Sequence, residues 1–578
     1  MSSRGRVVVG VAVVVAVALL LPVAASAHAY LIKTVPVANG VLDHSPPDVE
    51  LTYDEAVEPR FAVISVTDVH GHQETTAPVS RSPSNPDTLV VPLRHLSEGW
   101  YLVYWRVISV DGHPVSGAFT FAVGPNPGPA PQFVIPKLSA TATTPQLLVA
   151  RWAVFLTMMS AIGLFVLRIA IARPVVRRVD GVRLRSLTVA FSIAAALTLV
   201  AIPVYLDFAN ANFTLRSVFA VGALVPLFDT TAFGRGYLDL ELCFGLFTVA
   251  AAIALWVDRP GRARRSIAEL LSLLGAFAAA AAVLIVPGAS GHAAQTAPRG
   301  VALLLDWVHL VSGSIWIGGL IGLLVFWGTL PATRRLAGLG VVVPRFSNVA
   351  LVSVLLLLAS GVGASILHLP ILAALWETSY GKAILVKAGL LIAATMLASI
   401  NLVRTKPRLA AAQRNLELAG SAAVTLRRVV SGEVLLVVAA IFAAAVLSSL
   451  PPPPPALASE QSAVAHVGPG KVVQTVHQNG YTIQLLVTPN QAAVPNAFAL
   501  RLTKNGQPET GADITLTLVM LDMEMGNQEY QLKETTPGLY AITGIPALVM
   551  VGHWGLSFDI APESGAPFTV LFVDHAGG

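Results

Sequence analysis

Charge and cysteine are what this chain has little of. Of its 578 residues only 12% are Asp, Glu, Lys or Arg, against roughly 25% in an ordinary soluble domain. Because 54% of the residues are apolar and the mean hydropathy is +0.70, there is too little polar surface to cover a single water-soluble globule. A polytopic membrane protein follows. The one cysteine, Cys243, lies in an apolar run, which excludes a disulfide framework and a Cys-rich zinc site and leaves it as a small packing residue. Neither a Gly-x4-Gly-Lys-Ser/Thr loop nor a phosphorylatable ATPase signature occurs, so any transport would run on a gradient or on chemical trapping. The formal net charge of +5 would suit nucleic acid if it were gathered in one patch. Its Arg and Lys instead fall in short groups between apolar runs, the pattern that orients a membrane protein, and no nucleic-acid partner is expected.

Residues 1–27 carry Arg4 and Arg6, an apolar stretch from Val7 to Leu21, and the small-x-small end Ala25, Ser26, Ala27. This reads as a signal peptide. Cleavage after Ala27 would make His28 the first mature residue, with a free amino group and an imidazole together; the alternative is an uncleaved anchor.

Residues 28–123 are soluble in character, with β-rich runs such as Phe61 to Thr67 and Trp100 to Ile108 between Pro, Gly, Asn and Asp turns. A small β-sandwich is expected there. A Pro- and Gly-bearing linker, 124–146, leads into a membrane region, 147–450. Eight stretches in it are long enough to cross a hydrocarbon layer of roughly 30 Å: about 147–172, 187–206, 237–257, 267–287, 302–329, 347–368, 382–403 and 429–450. The shorter apolar segment 215–228 reads as interfacial. A Pro-rich linker, 451–469, precedes a second alternating region, 470–578, whose Asn479-Gly480, Asn505-Gly506 and Pro537-Gly538 turns predict a second β-sandwich.

The fold expected is thus a polytopic α-helical membrane protein of about eight transmembrane helices flanked by two small extracytoplasmic β-sandwich domains. Loops 173–186, 258–266, 330–346 and 404–428 hold 18 Arg and Lys, while the opposite side has only Arg216, Arg235, Arg299 and Lys382 in or beside its loops. This bias puts both termini and both β domains outside the plasma membrane. The membrane region also repeats. Thr231, Phe233, Gly234, Arg235 and Leu238 match Thr378, Tyr380, Gly381, Lys382 and Leu385 at one constant offset, and Arg151, Trp152 and Gly163 match Asp306, Trp307 and Gly318 at another. Two four-helix repeats in parallel orientation are expected.

Three constellations carry chemistry. In the first domain the amino terminus and imidazole of His28, with Asp111 and His113, form an N/O donor set suited to tetragonal Cu(II). Taken alone, Asp111-x-His113 fits equally an ordinary Asp-Gly turn beside a surface histidine. In the membrane region Asp306 and His309 are one helical turn apart, with Gly313 and Trp316 continuing that face and His292 in the loop before it. Ionisable groups at that depth are costly unless they face protein, water or an ion. Met158 and Met159 in the first span offer soft sulfur for Cu(I), or fill core gaps. His368 and Glu433 are further residues of a path. In the last domain Met523, Met525, Met550 and His553 offer thioethers and an imidazole suited to Cu(I), or a Met-rich core strand.

These residues carry resemblances. His28 after a signal peptide, Thr34-Val35-Pro36, the Glu50 to Glu55 run, and Tyr104-Trp105-Arg106-Val107 leading to Asp111-Gly112-His113-Pro114 resemble the CopC family of copper-binding β-sandwiches. That likeness implies Cu(II) held by His28, Asp111 and His113. No Met lies between His28 and Gln146, so the Met-rich Cu(I) site of some CopC proteins is not expected. Ser290-Gly291-His292-Ala293, Asp306-Trp307-Val308-His309 with Trp316-Ile317-Gly318-Gly319, Arg345-Phe346-Ser347, Thr378-Ser379-Tyr380-Gly381-Lys382 and Glu433 are similar to CopD. Asp522 to Gly526 and Gly552-His553-Trp554 resemble the YtkA-like domain.

The resemblance implies a copper-binding membrane transporter whose N-terminal domain captures Cu(II) and passes it to the membrane domain for import through His292, Asp306 and His309. Its alternative is envelope copper sequestration or resistance, or delivery to a respiratory oxidase, without import. Copper ion is the cofactor and cargo expected. The partners are the lipid bilayer and another copper chaperone or oxidase assembly factor. Two enzymatic readings compete. A copper brace of a monooxygenase also uses an N-terminal His, but here Asp111 adds a carboxylate. A haem reductase needs paired intramembrane histidines, and the spans offer only His309 and the marginal His368. The chain is not expected to be an enzyme.

Overall fold

A computed structural model describes residues 31–36, 40–53, 56–108, 114–128, 144–214, 217–218, 222, 224–296, 298–369, 372, 374–410, 416–450, 465–492, 494–520, 527–545, 547–548, 552–563 and 565–577. The long helices form one compact unit, and the β regions on either side of them belong to a second.

In the first β region two four-stranded sheets share one core. One sheet orders Leu31–Val35, Asp48–Tyr53, Thr88–Pro92 and Ser80–Arg81; the other orders Val41–Leu42, Pro114–Val123, Gly99–Ile108 and Val63–Thr67. Apolar residues alternate along Asp48–Tyr53, so Val49, Leu51 and Tyr53 all point inward, where they meet Val103, Trp105 and Phe121 from the facing sheet. Tyr53 packs edge-on against Trp105 at 5.6 Å between ring centroids. Its hydroxyl, buried with no hydrogen-bond partner, is held well above the ordinary tyrosine range by that burial.

The second β region runs from Ala465 to Ala576 as a continuous antiparallel path that folds over a single core, with Ala465–Val467 added in parallel to Phe568–Ala576. The long strand Asn527–Thr536 turns the corner, pairing first with Asp513–Met520 and then with Leu539–Ile545. Its hairpins close where the sequence expects. Asn479-Gly480 and Asn505-Gly506 take positive φ at both positions, 51° and 81° in one, 51° and 78° in the other. Such primed turns match the twist of the flanking strands.

The helical unit contains eight helices long and apolar enough to cross a membrane, Pro145–Arg178, Arg185–Thr214, Ala232–Val257, Ile267–Ala289, Arg299–Thr329, Ala332–His368, Ser379–Leu409 and Ser421–Leu447. We call them the first to eighth spans. The protein is a multi-pass membrane protein with flanking β domains. The start of the first span and the end of the eighth lie on one side, the linker side; the Arg-rich loops lie on the other, the basic side. The segment 215–228 runs into the short helix Leu224–Thr230.

The repeat is visible in matched atoms. Thr231 Oγ1 donates to Leu227 O at 2.7 Å and accepts from Gly234 N at 2.9 Å; Thr378 Oγ1 donates to Ala374 O at 2.7 Å and accepts from Gly381 N at 3.0 Å. Trp152 Nε1 of the first span donates to Val438 O of the eighth at 3.2 Å, while Trp307 Nε1 of the fifth donates to Ala281 O of the fourth at 3.1 Å. Each repeat thus opens with a span whose indole grips a closing span. On the basic side a buried network ties the first, third and fourth spans. Asp258 accepts from Arg168 Nη1 at 2.5 Å and Arg173 Nε at 2.9 Å, and Glu269 joins it through Arg173 at 3.5 Å and a capping box with Ser266.

Candidate metal route in the membrane unit

The fifth span supplies the first part. Asp306, His309, Gly313 and Trp316 recur at three- and four-residue steps, so they share one face. Asp306 and His309 lie about 10 and 15 Å in from the linker-side end of the helix at 1.5 Å per residue, and both are half-buried.

Neighbouring spans shape the space around each group. Asp306 rests against Gly288 of the fourth span, where an added Cβ would come within 2.6 Å of Oδ2. The glycine leaves room for the carboxylate in its present place. The imidazole of His309 lies against Gly361 of the sixth span, where a Cβ would approach Cε1 to 3.3 Å. His309 Nδ1 is 3.2 Å from Ser360 Oγ, and Ser360 Oγ itself donates to Leu357 O at 3.1 Å. The serine thus holds the ring through Nδ1, and Nε2 is the nitrogen left for a metal ion.

One turn further in, a Cβ at Gly313 would come within 2.6 Å of Met159 Cε. The thioether of the first span thus lies beside the same face of the fifth. Carboxylate, imidazole and thioether follow one another inward from the linker side, from harder to softer donors.

The charged neighbour of both Asp306 and His309 is Lys387 of the seventh span. It is half-buried in an otherwise apolar helix, about 12 Å from the linker-side end. The sequence reading passed over it, although a lone lysine inside the run Ala383 to Ala394 is itself a signal, since such a charge is retained in a span only for a purpose.

His292 opens the turn His292–Gln295, four residues beyond Gly288. His368 ends the sixth span: Nδ1 donates to Ala364 O at 2.7 Å, and Nε2 lies 3.2 Å from Thr296 Oγ1. It therefore ties its helix to the segment after His292. Glu433 is not at the start of the last span. The helix begins at Leu416, which puts Glu433 near the middle of that helix, where Oε1 accepts from Asn401 Nδ2 at 2.5 Å. Met158 is fully buried in the first span. Among the described residues no group of three or more His, Cys, Asp or Glu converges on one point.

In the first β region, His28, Asp111 and His113 lie outside the described residues. Their anchors do not. Leu31, opposite Tyr53 in the register, opens the first strand, and the long strands Gly99–Ile108 and Pro114–Val123 end on the pair Ile108 and Pro114, which bracket residues 109–113. In the second β region Met523, Met525 and Met550 also lie outside the described residues. His553 is described, and its imidazole stacks edge-on with that of His575, a partner the sequence reading missed, at 4.9 Å between centroids.

Three family models match in order along the chain: the CopC domain over residues 31–124, copper resistance protein D, CopD, over 340–447, and YtkA-like over 475–559. Over the first domain, 98 residues are 37% identical to protein YobA of Escherichia coli K12, covering 17% of this chain and 79% of that protein. The chain belongs to the CopC–CopD family of copper transport and resistance proteins. Copper resistance protein C of Pseudomonas syringae pv. tomato is 32% identical over 114 residues, covering 19% of the chain and 90% of that protein. The copper transport protein CutJ of Bacillus subtilis is 28% identical over 531 residues, 90% of this chain and 91% of CutJ. The likeness to CutJ therefore spans the whole CopC–CopD–YtkA order, fifth span included. Copper is the metal of this family, and its members are transport and resistance proteins rather than enzymes.

Proposed function

We propose that this CopC–CopD protein carries copper inward across the plasma membrane. In this reading residues 1–27 are a cleaved signal peptide, and the linker side of the spans and both β domains (28–123 and 470–578, on linkers 124–146 and 451–469) are extracytoplasmic. The Arg-rich loops face the cytoplasm. Cu(II) is captured by the new amino terminus of His28 with Asp111 and His113, an N/O set that suits the cupric ion. It then passes by way of His292 to Asp306 and His309.

One observation carries the reading. In the linker-side half of the membrane unit a carboxylate and an imidazole share the interior with a lysine, and glycines at 288 and 361 make room for them. Such groups are retained at that depth where an ion passes. Met159 beyond His309 adds a softer sulfur donor further in. A further partner is another copper chaperone or an oxidase assembly factor.

The test is copper uptake into sealed vesicles holding the full chain. His309→Ala should lower uptake several-fold and Asp306→Asn likewise, with the protein still inserted. Uptake by both variants equal to that of the parent chain overturns the route, and no uptake by the parent chain leaves sequestration in the envelope as the function.

A further inference from the structure

We infer that the C-terminal β region holds a copper site of its own, built on His553 and His575. The two residues are direct cross-strand partners on Gly552–Ala561 and Phe568–Ala576. Residues one position away on each strand, Trp554 and Asp574, are fully buried in the core, so the alternation of strand side chains puts both imidazoles on the opposite face of the sheet. The rings meet at 4.9 Å and 62°. Two imidazoles on one ion in trigonal or tetrahedral geometry, with metal–nitrogen bonds near 2 Å, place their centroids roughly 4.5 to 5.5 Å apart. The observed spacing falls within that range.

A second observation points to a ligand. His575 Nδ1 is buried and makes no hydrogen bond, and a buried nitrogen without a partner costs on the order of 1–3 kcal/mol. Strand register makes the pairing rigid on both sides: Met520, Trp554 and Asp574 form the adjacent rung, linked by backbone hydrogen bonds across three strands. No third His, Cys, Asp or Glu joins the pair among the described residues, so a hard, carboxylate-loving ion has little to hold it. Along the chain, Met523 and Met525 follow soon after the rung that ends at Met520, and Met550 precedes His553 by three residues. Imidazoles with thioethers this near in sequence point to Cu(I). This site extends the copper reading to the third domain and does not depend on the membrane route, since it would bind whether or not the spans transport.

The experiment uses the full-length protein in detergent, titrated anaerobically with Cu(I) against a chromogenic chelator. The parent chain should hold one more tightly bound Cu(I) per chain than either His553→Ala or His575→Ala, with the Cu(II) spectrum of the first domain unchanged in all three. Because a substitution here could loosen the sheet, the unaltered chain gives a second reading: saturating Cu(I) should protect His553 and His575 from carbethoxylation, mapped by mass spectrometry, relative to His477 on the exposed strand Val472–Gln478. Equal Cu(I) content in parent and variants, or modification of both histidines at the same rate with and without Cu(I), overturns the site. Failure here with normal vesicle uptake would leave the membrane route standing.

Discussion

Gly163 of the first span and Gly318 of the fifth occupy the same position in the two repeats and touch each other. A Cβ at Gly318 would come within 2.5 Å of Gly163 Cα, and one at Gly163 within 1.9 Å of Ser314 O. Small residues let helix backbones approach closely in a membrane, where packing rather than the hydrophobic effect drives association. The atoms met are backbone, so no side chain can swing aside. Alanine at either position should cost on the order of 1–3 kcal/mol, read as a lower unfolding temperature in detergent. Alanine at Gly275 or Gly389, where a Cβ meets nothing within 4 Å, should be neutral. Equal effects at all four positions would mean that the repeats do not meet at this pair.

Gly288 tests the carboxylate without touching it. An alanine methyl there would sit 2.6 Å from Asp306 Oδ2 and push the side chain out of its place. Gly288→Ala should therefore lower copper uptake nearly as far as Asp306→Asn. Gly361→Ala, with 3.3 Å to the His309 ring, asks only a few tenths of an ångström of its neighbour and should cost less. Uptake at parental level in Gly288→Ala would remove the Asp306 carboxylate from the path.

Lys387 lies close enough to Asp306 and His309 for its charge to act on both. In its protonated form it opposes a metal cation entering there by on the order of 1–3 kcal/mol in a partly screened interior. Lys387→Met should tighten Cu(I) binding to the membrane unit about tenfold and slow its release, while Lys387→Arg should leave affinity unchanged. The measurement is chelator competition on a chain already carrying His553→Ala, which isolates the membrane sites. A Met variant that binds no tighter would show that Lys387 is not opposed to the ion.

The parts of this architecture legible in the sequence are those with a local period or a constant offset. Eight apolar runs became eight spans, and the repeat offsets were realised as paired threonine caps and as the Gly163–Gly318 contact. Asp306 and His309 were readable because helical spacing puts them on one face. What stayed hidden depends on how distant segments meet. Nothing local says that Lys387 comes near enough to act on Asp306, or that Met159, in the first span, lies against Gly313. His575 is 22 residues from His553, and only the register of their hairpin makes them partners. Glu433 lies near the middle of its helix because that helix starts well before its apolar run does.

Asp574 gives the C-terminal β region a pH dependence of known sign. Its carboxyl is fully buried, accepts from Asn490 Nδ2 at 2.8 Å through Oδ1, and leaves Oδ2 without a partner. Burial, partly offset by that hydrogen bond, raises it from 3.8 to about 6. Folding therefore favours the protonated acid. The contribution is present in full below about pH 4, where the unfolded chain is protonated too, and is lost as pH climbs through 6. Asp574→Asn keeps an acceptor for Asn490 and removes the titration. The variant should match the parent at pH 4 and exceed it at pH 7.5 by on the order of 1–3 kcal/mol, measured by hydrogen exchange of the Phe568–Ala576 amides in the full chain. Parallel pH profiles for the two proteins would mean that the buried carboxyl does not destabilise the sheet at neutral pH.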